Sequence, residues 1–361
     1  MADSLIKDRA VSVSIDKEAA FGTYEAPTRK LETLENWAPT NIQQRRHLNG
    51  TLTTGIENAS VARAGTIHYV GTLPYGRIHA DDLAWAQSYG FAAPTTTDLT
   101  SEYIHEFKVL SASDLSLNSF SVTEAIAAAE QQGYAGCLVQ SWQVDKQVGT
   151  PATQRVEYVA KTRSDETEDP AASSEPVWLD GPVAINLGAT VDSGFTGMTQ
   201  GSTDLTATPA DYQGQARDIS FGMTNFSSPD HLFTFAGTTF ARAERMIRTY
   251  NLSFTIEFDA ADEALIREIV GTSTNQVLAT RAVEIEWDSG IVVNSAVNYG
   301  AKFIWSKVLL TTGIARPDSA SGKLLLPVTC EVLYDTGDYG LSEDFGVMRS
   351  GVWNGVAAYA T

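Results

Sequence analysis

The sequence predicts a mainly β chain with a few short helices, laid out as two tandem units, each with a flanking α-helix. Three observations carry this. A strand, helix and strand pattern occurs twice, about 185 residues apart, and repetition of that kind is an architectural signature. Alternating apolar and polar runs, the mark of half-buried strands, outnumber helical periodicities. An acidic stretch bounded by proline, Ser164 to Pro176, falls between the two copies, as an exposed boundary should.

The first copy opens with a strand ending at Thr66–Leu73, then a helix from Asp81 to Tyr89 closed by Gly90. Strands follow at Tyr103–Val109, Ser119–Thr123, Tyr134–Trp142 and Gln154–Lys161, with Ala125–Ala129 read as a hairpin tip holding one helical turn. The second copy has a strand at Leu252–Phe258 and a helix at Asp259–Val270. Asp259 caps that helix, Leu265, Ile266, Ile269 and Val270 form its apolar stripe, and Gly271 stops it. Its later strands are Val283–Trp287, Tyr299–Lys307 and Lys323–Tyr334, so that Tyr103–Val109 matches Val283–Trp287 and Tyr134 matches Tyr299. The organisation expected is a first β unit at 1–165 with an N-terminal arm, a linker at 166–176, a second unit at 177–340 and a C-terminal arm at 341–361. Residues 25–60 and 188–245, rich in Thr, Gly, Ser, Asn and Asp, read as long loops available for contacts with other subunits.

At 361 residues the chain is long enough for two ordinary cores, and no apolar run approaches the roughly 18 residues a membrane span requires. The charged N-terminus lacks an apolar core segment, so synthesis in a cytosol without a secretory signal is expected. Cys137 and Cys330 sit in β-type runs and read as small buried hydrophobes. A net charge of −19 argues against a phosphate-binding surface, which works by neutralising phosphate with Lys and Arg.

Motifs of enzymatic chemistry are missing from the sequence: no GxSxG, HExxH, Walker A or post-strand GxGxxG. The five histidines are dispersed; His79 beside Asp81 and Asp82 reads as a helix N-terminus with its usual carboxylates rather than a cation site. Asp335–Gly340 lacks the closing glutamate of a calcium loop and reads as a turn. No metal, cofactor or catalytic constellation is expected, which favours a structural or binding protein.

The helix with its glycine stop at Asp81–Gly90, the strand Leu117-Asn118-Ser119-Phe120-Ser121-Val122 and the run Tyr134-Ala135-Gly136-Cys137-Leu138-Val139-Gln140-Ser141 together resemble the tail tube (major tail) protein of long non-contractile-tailed bacteriophages. The likeness covers most of 60–163 and extends more weakly over 245–335, where Ala301 replaces Gly136 and Lys302 replaces Cys137. It implies tandem β-sandwich or barrel units whose inner strands join around a ring, rings stacked into a virion tube, and DNA passing through without specific binding. It also implies tape measure and tail tip or terminator proteins as partners. Because single-unit members form six-fold rings, two units per chain imply three chains in a pseudo-six-fold ring.

The acidic balance then has a use, since a channel for DNA should hold phosphate nowhere and only carboxylates within about 8 Å of it act. Glu102, Glu106, Glu257, Glu284 and Glu286, on the polar faces of strands, are the lumen-lining candidates. Arg45, Arg46, Trp37 and Trp353 are the candidates for contacts between subunits. Competing readings are a contractile-tail tube, terminator or decoration protein, or a carbohydrate-binding β-sandwich with Trp37, Trp178 and Trp353 as an aromatic platform.

Overall fold

The computed structural model describes residues 11–31, 40–49, 61–73, 77–91, 93–99, 102–109, 116–126, 130–166, 179, 181–206, 210–211, 216–234, 237, 239–258, 280–293, 297–312, 316–317, 322–357 and 359. The second helix expected at Asp259–Val270, Trp37, Trp178 and most of the acidic linker lie outside them. In chain order the first elements are β1 Val11–Lys17, β2 Arg29–Lys30, β3 Asn41–Asn49, β4 Val61–Leu73, α1 Ala80–Gly90, β5 Thr95–Asp98, β6 Tyr103–Val109 and β7 Phe120–Ile126. Next come β8 Glu130–Gln147, β9 Thr153–Ala160, β10 Thr162–Glu166, β11 Val183–Gly188, β12 Ala210–Asp211 and β13 Ala216–Thr224. The chain continues through β14 Thr249–Phe258, β15 Thr280–Val292, β16 Asn298–Thr312, β17 Arg316–Pro317, β18 Leu324–Val332 and β19 Met348–Asn354. The fold is mainly β, as the alternating runs predict.

Strand pairing in one half of the chain repeats that in the other. The order β1-β7-β8-β9-β4-β3 is matched by β11-β15-β16-β18-β14-β13. The irregularities match too. Against β7, β8 carries one extra residue between Tyr134 and Cys137; against β15, β16 carries one between Trp305 and Val308. Against the closing strand, the extra residue falls between Val139 and Ser141 in β8 and between Leu310 and Thr312 in β16. A bulge is a backbone landmark that survives replacement of side chains. These landmarks set Trp305, not Tyr299, in the place of Tyr134, and Lys307 and Val308 in the places of Gly136 and Cys137. They also make β7, the hairpin partner of β8, the counterpart of β15; the matching of Tyr103–Val109 with Val283–Trp287 is corrected accordingly.

Two layers result. The C-terminal part of β8 pairs with β13, which joins the halves into one antiparallel sheet, β3-β4-β9-β8-β13-β14-β18-β16. The N-terminal parts of β8 and β16 belong to the other layer, flanked by β7 and β10 in one case and by β15 and β19 in the other. At 18 and 15 residues these two strands are long enough to serve both layers, and the bulges bend them. Gly136, at φ +68°, takes the left-handed conformation in the first bulge, where glycine alone is unstrained.

Residues from both sides of the linker share one core, contrary to the expectation of a core for each unit. Phe221 of β13 meets Trp142 of β8 at 5.7 Å, Trp287 of β15 at 5.7 Å, Phe303 at 4.7 Å and Trp305 at 5.2 Å, all buried. The segments predicted as loops and arms contribute too, since β3 lies in 25–60, β13 in 188–245, and all of β19 is buried between β16 and β6. Helix α1 is buried on every side, with Trp85, Tyr89 and Phe120 packed ring on ring. Both cysteines are free and buried.

Candidate functional site

One face of the eight-stranded sheet packs on the core and the other is wet. On β9, Thr153 and Arg155 are exposed while the alternating Gln154 and Val156 are buried. Register carries this face across the sheet in a single row. Thr153 stands opposite Asp145, Asp145 opposite Ser220, Ser220 opposite Ser253, and Ser253 opposite Thr329. The row is hydroxyl-rich with one carboxylate. Gln143 ties it together, donating to Asp145 at 3.0 Å and to Ser220 Oγ at 3.2 Å.

The cations Arg155, Arg217 and Lys323 on this face are each paired with a carboxylate. Arg155 meets Glu157 at 2.7 Å, and Glu157 also accepts from Ser141 Oγ at 2.7 Å. Glu257 is contacted by both Arg217 and Lys323. Among the described residues, a surface of hydroxyls, amides, paired cations and a few further carboxylates offers no array of free cations to a phosphate backbone. It solvates well and holds a polyanion poorly.

Of the five carboxylates proposed from the sequence, Glu257 lies on this face. Glu102 is buried, and Glu106 accepts from the Met198 amide at 2.8 Å. Glu284 and Glu286 are buried around Lys302, whose side chain is 0% exposed. Glu286 lies 3.2 Å and Glu284 3.8 Å from Lys302 Nζ, with Asp204 at 3.1 Å. The ammonium also donates to the carbonyls of Thr199 and Ser202, each at 2.5 Å. Glu284 accepts from Asn186 Nδ2 and the Asp204 amide at 2.8 Å, and Glu286 from the Gly201 amide at 2.7 Å. The cluster fastens the segment around 199–204 over the strand face that alternation alone assigned to water. Glu102, Glu284 and Glu286 are therefore not surface groups, and association can only bury them further.

Burial raises the carboxyl pKa of Glu286 and of Asp204, against the opposing pull of Lys302. For Lys302, burial acts to lower the pKa, but Glu284, Glu286 and Asp204 outweigh it and the net direction is up. Among the described residues no group of three or more His, Cys, Asp or Glu is placed to hold a metal ion; within this cluster the lysine supplies the cation.

The remaining candidates separate. Arg45 and Arg46 lie in β3, which pairs with β4 along one edge. Trp353 is 2% exposed and packs with Ile104, Met198 and Ile304, so it serves the core rather than a contact between subunits or an aromatic platform. His79 precedes α1 with no side-chain cap bond, its imidazole pushed down to about 4 by burial and then by Arg29. Asp81 and Asp82 at that helix start are held by Arg29 at 3.4 and 3.0 Å, and Asp81 accepts from Tyr359 at 3.0 Å.

Several solved structures show a distant likeness, and two of them are Hcp proteins. One is the crystal structure of an Hcp protein, with TM-score 0.26 and 12% identity, covering 42% of this chain and 86% of that one. The other is a mutant of the Hcp1 protein from E. coli EAEC 042, with TM-score 0.25 and 13% identity over the same shares. No protein-family model matches the chain, and no curated protein does. The fold assignment rests on the strand pairings themselves.

Proposed function

We propose that the chain is a structural subunit of a virion tail tube, which polymerises as stacked rings of three duplicated chains. The observation that carries this reading is the central sheet. It consists of two equivalent four-stranded halves, β3-β4-β9-β8 and β13-β14-β18-β16, already joined antiparallel at β8–β13. With an even number of alternating strands, the outer strands β3 and β16 run in opposite directions. A second copy can thus continue the sheet antiparallel, and a closed ring of copies removes the exposed edges that otherwise invite uncontrolled pairing.

Three such sheets make a barrel wall of roughly 24 strands. At about 4.8 Å per strand it is about 115 Å around and on the order of 37 Å across before strand tilt widens it. That is room for a DNA duplex. The wet face turned inward would give DNA a hydroxyl-lined, charge-paired channel, with Glu257 as the lumen carboxylate retained from the sequence reading. The tape measure and tail tip or terminator proteins enter as partners through the family resemblance.

Electron microscopy of the purified, assembled chain tests the reading, together with mass measurement of a single ring. Stacked open-ended tubes with three chains per ring are expected. Six chains per ring would overturn the duplicated-unit account, and discrete unstacked rings would point to a terminator.

A further inference from the structure

We infer that β3 of one chain pairs with the C-terminal end of β16 of a second copy, with Gln43 opposite Thr312. The partner is a second copy of this chain because of the ring reading above, on which the inference rests; the register comes from the chain's own internal junction.

Within the chain, β8 and β13 pair from Ser141 opposite Thr224 to Gln147 opposite Asp218. The bulge facing the closing strand makes Thr312 the counterpart of Ser141. On the other side of the junction, Gly71 stands opposite Tyr158, and Leu252 opposite Cys330. Tyr158 and Cys330 each face the start of that bulge, at Val139 and Leu310, so Gly71 and Leu252 are equivalent. Val70 opposite Asn41 then corresponds to Asn251 opposite Gly222. Gln43 is therefore the counterpart of Thr224, and the internal Ser141–Thr224 pair becomes Thr312–Gln43 between copies.

Exposure supports the same pairing independently. Ile42 is 58% exposed, whereas its counterpart Met223, seated in the completed internal junction, is 2% exposed. An isoleucine on an open sheet edge is the kind of surface that native proteins cover or charge. Among the described residues β3 pairs with β4 and no other strand, and the stretch from Leu310 to Thr312 pairs with β18 and no other. Among the described residues, the two ends of the sheet are open and complementary in direction.

Cysteine cross-linking tests the register in the full-length chain. With Gln43→Cys and Thr312→Cys together, mild oxidation of assembled material should give a ladder of dimers and trimers. The pair Asn41→Cys with Thr312→Cys, shifted by one pleat, should cross-link far less. Tubes that form without cross-links, or that cross-link best in the shifted pair, would overturn the junction and leave the ring reading standing. Cross-links at Gln43–Thr312 in particles that are not tubes would support the junction and remove the ring reading. Hydrogen exchange on the unsubstituted chain guards against a variant that fails to fold. Amides at Asn41–Gln43 should slow by at least about tenfold on assembly, and unchanged exchange there would overturn the inference.

Discussion

Lys302 Nζ lies 3.2 Å from a carboxylate oxygen of Glu286, and the lysine side chain is wholly enclosed. Removing one member of a buried ionic group leaves the others uncompensated, at a cost of about 3–5 kcal/mol. Lys302→Met should therefore lower stability by roughly that amount, measured by urea denaturation of the unassembled chain. A loss below about 1 kcal/mol would mean that the cluster relaxes into solvent when opened.

The same cluster makes stability depend on pH. Burial holds the folded-state pKa of Glu286 above its ordinary value. The protonated form is thus favoured by folding, and this contribution is complete below the unfolded pKa of about 4.3 and lost as pH rises through the folded value. Replacing Glu286 with Gln removes that dependence. Measured side by side from pH 4 to pH 8, the variant should gain stability relative to the parent as pH rises. A constant difference between the two proteins would exclude Glu286 as the source.

The alternation Val283-Glu284-Ile285-Glu286-Trp287 identifies the strand and its core face, but not what covers the carboxylates. Cover comes from residues 199–204, some eighty positions earlier, and no local period encodes it. A signal was nonetheless present, since Lys302 sits in the apolar run Tyr299–Ile304 and a lysine there needs buried counter-charges. Ile219, Phe221 and Met223 likewise alternate in β13, but the surrounding Thr, Gly and Ser masked them as loop. β3, with Arg45-Arg46-His47 and few apolar residues, carries little alternation because it pairs on one edge. Matching the two halves by their tyrosines pairs Tyr134 with Tyr299, whereas the backbone bulges pair Tyr134 with Trp305, because a bulge is set by backbone geometry and not by side-chain identity.

Gly136 is the residue that shapes the first bulge. A Cβ there would meet Lys161 Cβ at 2.6 Å and Gly22 Cα at 3.3 Å, and φ +68° is unfavourable for any L side chain by about 1–2 kcal/mol. Gly136→Ala should destabilise the chain by about 2–4 kcal/mol once overlap is added to backbone strain. Thermal unfolding decides this. A neutral outcome would show that β8 bends without the left-handed residue.

Tyr359 is a clasp between the C-terminal segment and α1. Its hydroxyl accepts from Asn354 Nδ2 at 2.8 Å and donates to Asp81 at 3.0 Å, with all three residues buried. Tyr359→Phe removes both bonds and strands the Asn354 donor, at an expected cost of about 1–3 kcal/mol. Hydrogen exchange should show faster opening at the start of α1. Unchanged exchange there would place the anchor of the C-terminal segment elsewhere, for example in the β19–β6 pairing.

The wet face gives the test of function that Glu284 and Glu286 cannot, because lysine at either position would break a buried cluster before it altered any channel. Ser220 and Ser253 face each other across β13 and β14, half-exposed and outside the ion pairs of Arg155 and Arg217. Ser253→Lys adds a cation between Ser220 and Thr329, whereas the cation of Ser220→Lys lies opposite Asp145, which partly neutralises it. In a three-chain ring each substitution recurs around the wall and in every stacked ring, so contacts too weak to matter alone accumulate along the DNA. Each phosphate contact made releases counterions, so the resulting drag should be strongest at low salt and fade as salt rises. Ser253→Lys should leave tube assembly and monomer stability within about 0.5 kcal/mol of the parent, yet slow DNA exit in a salt-dependent manner. Normal exit at low salt from tubes built of Ser220→Lys and of Ser253→Lys chains would place this face on the outside of the tube, and the sheet's direction of curvature would have to be reversed.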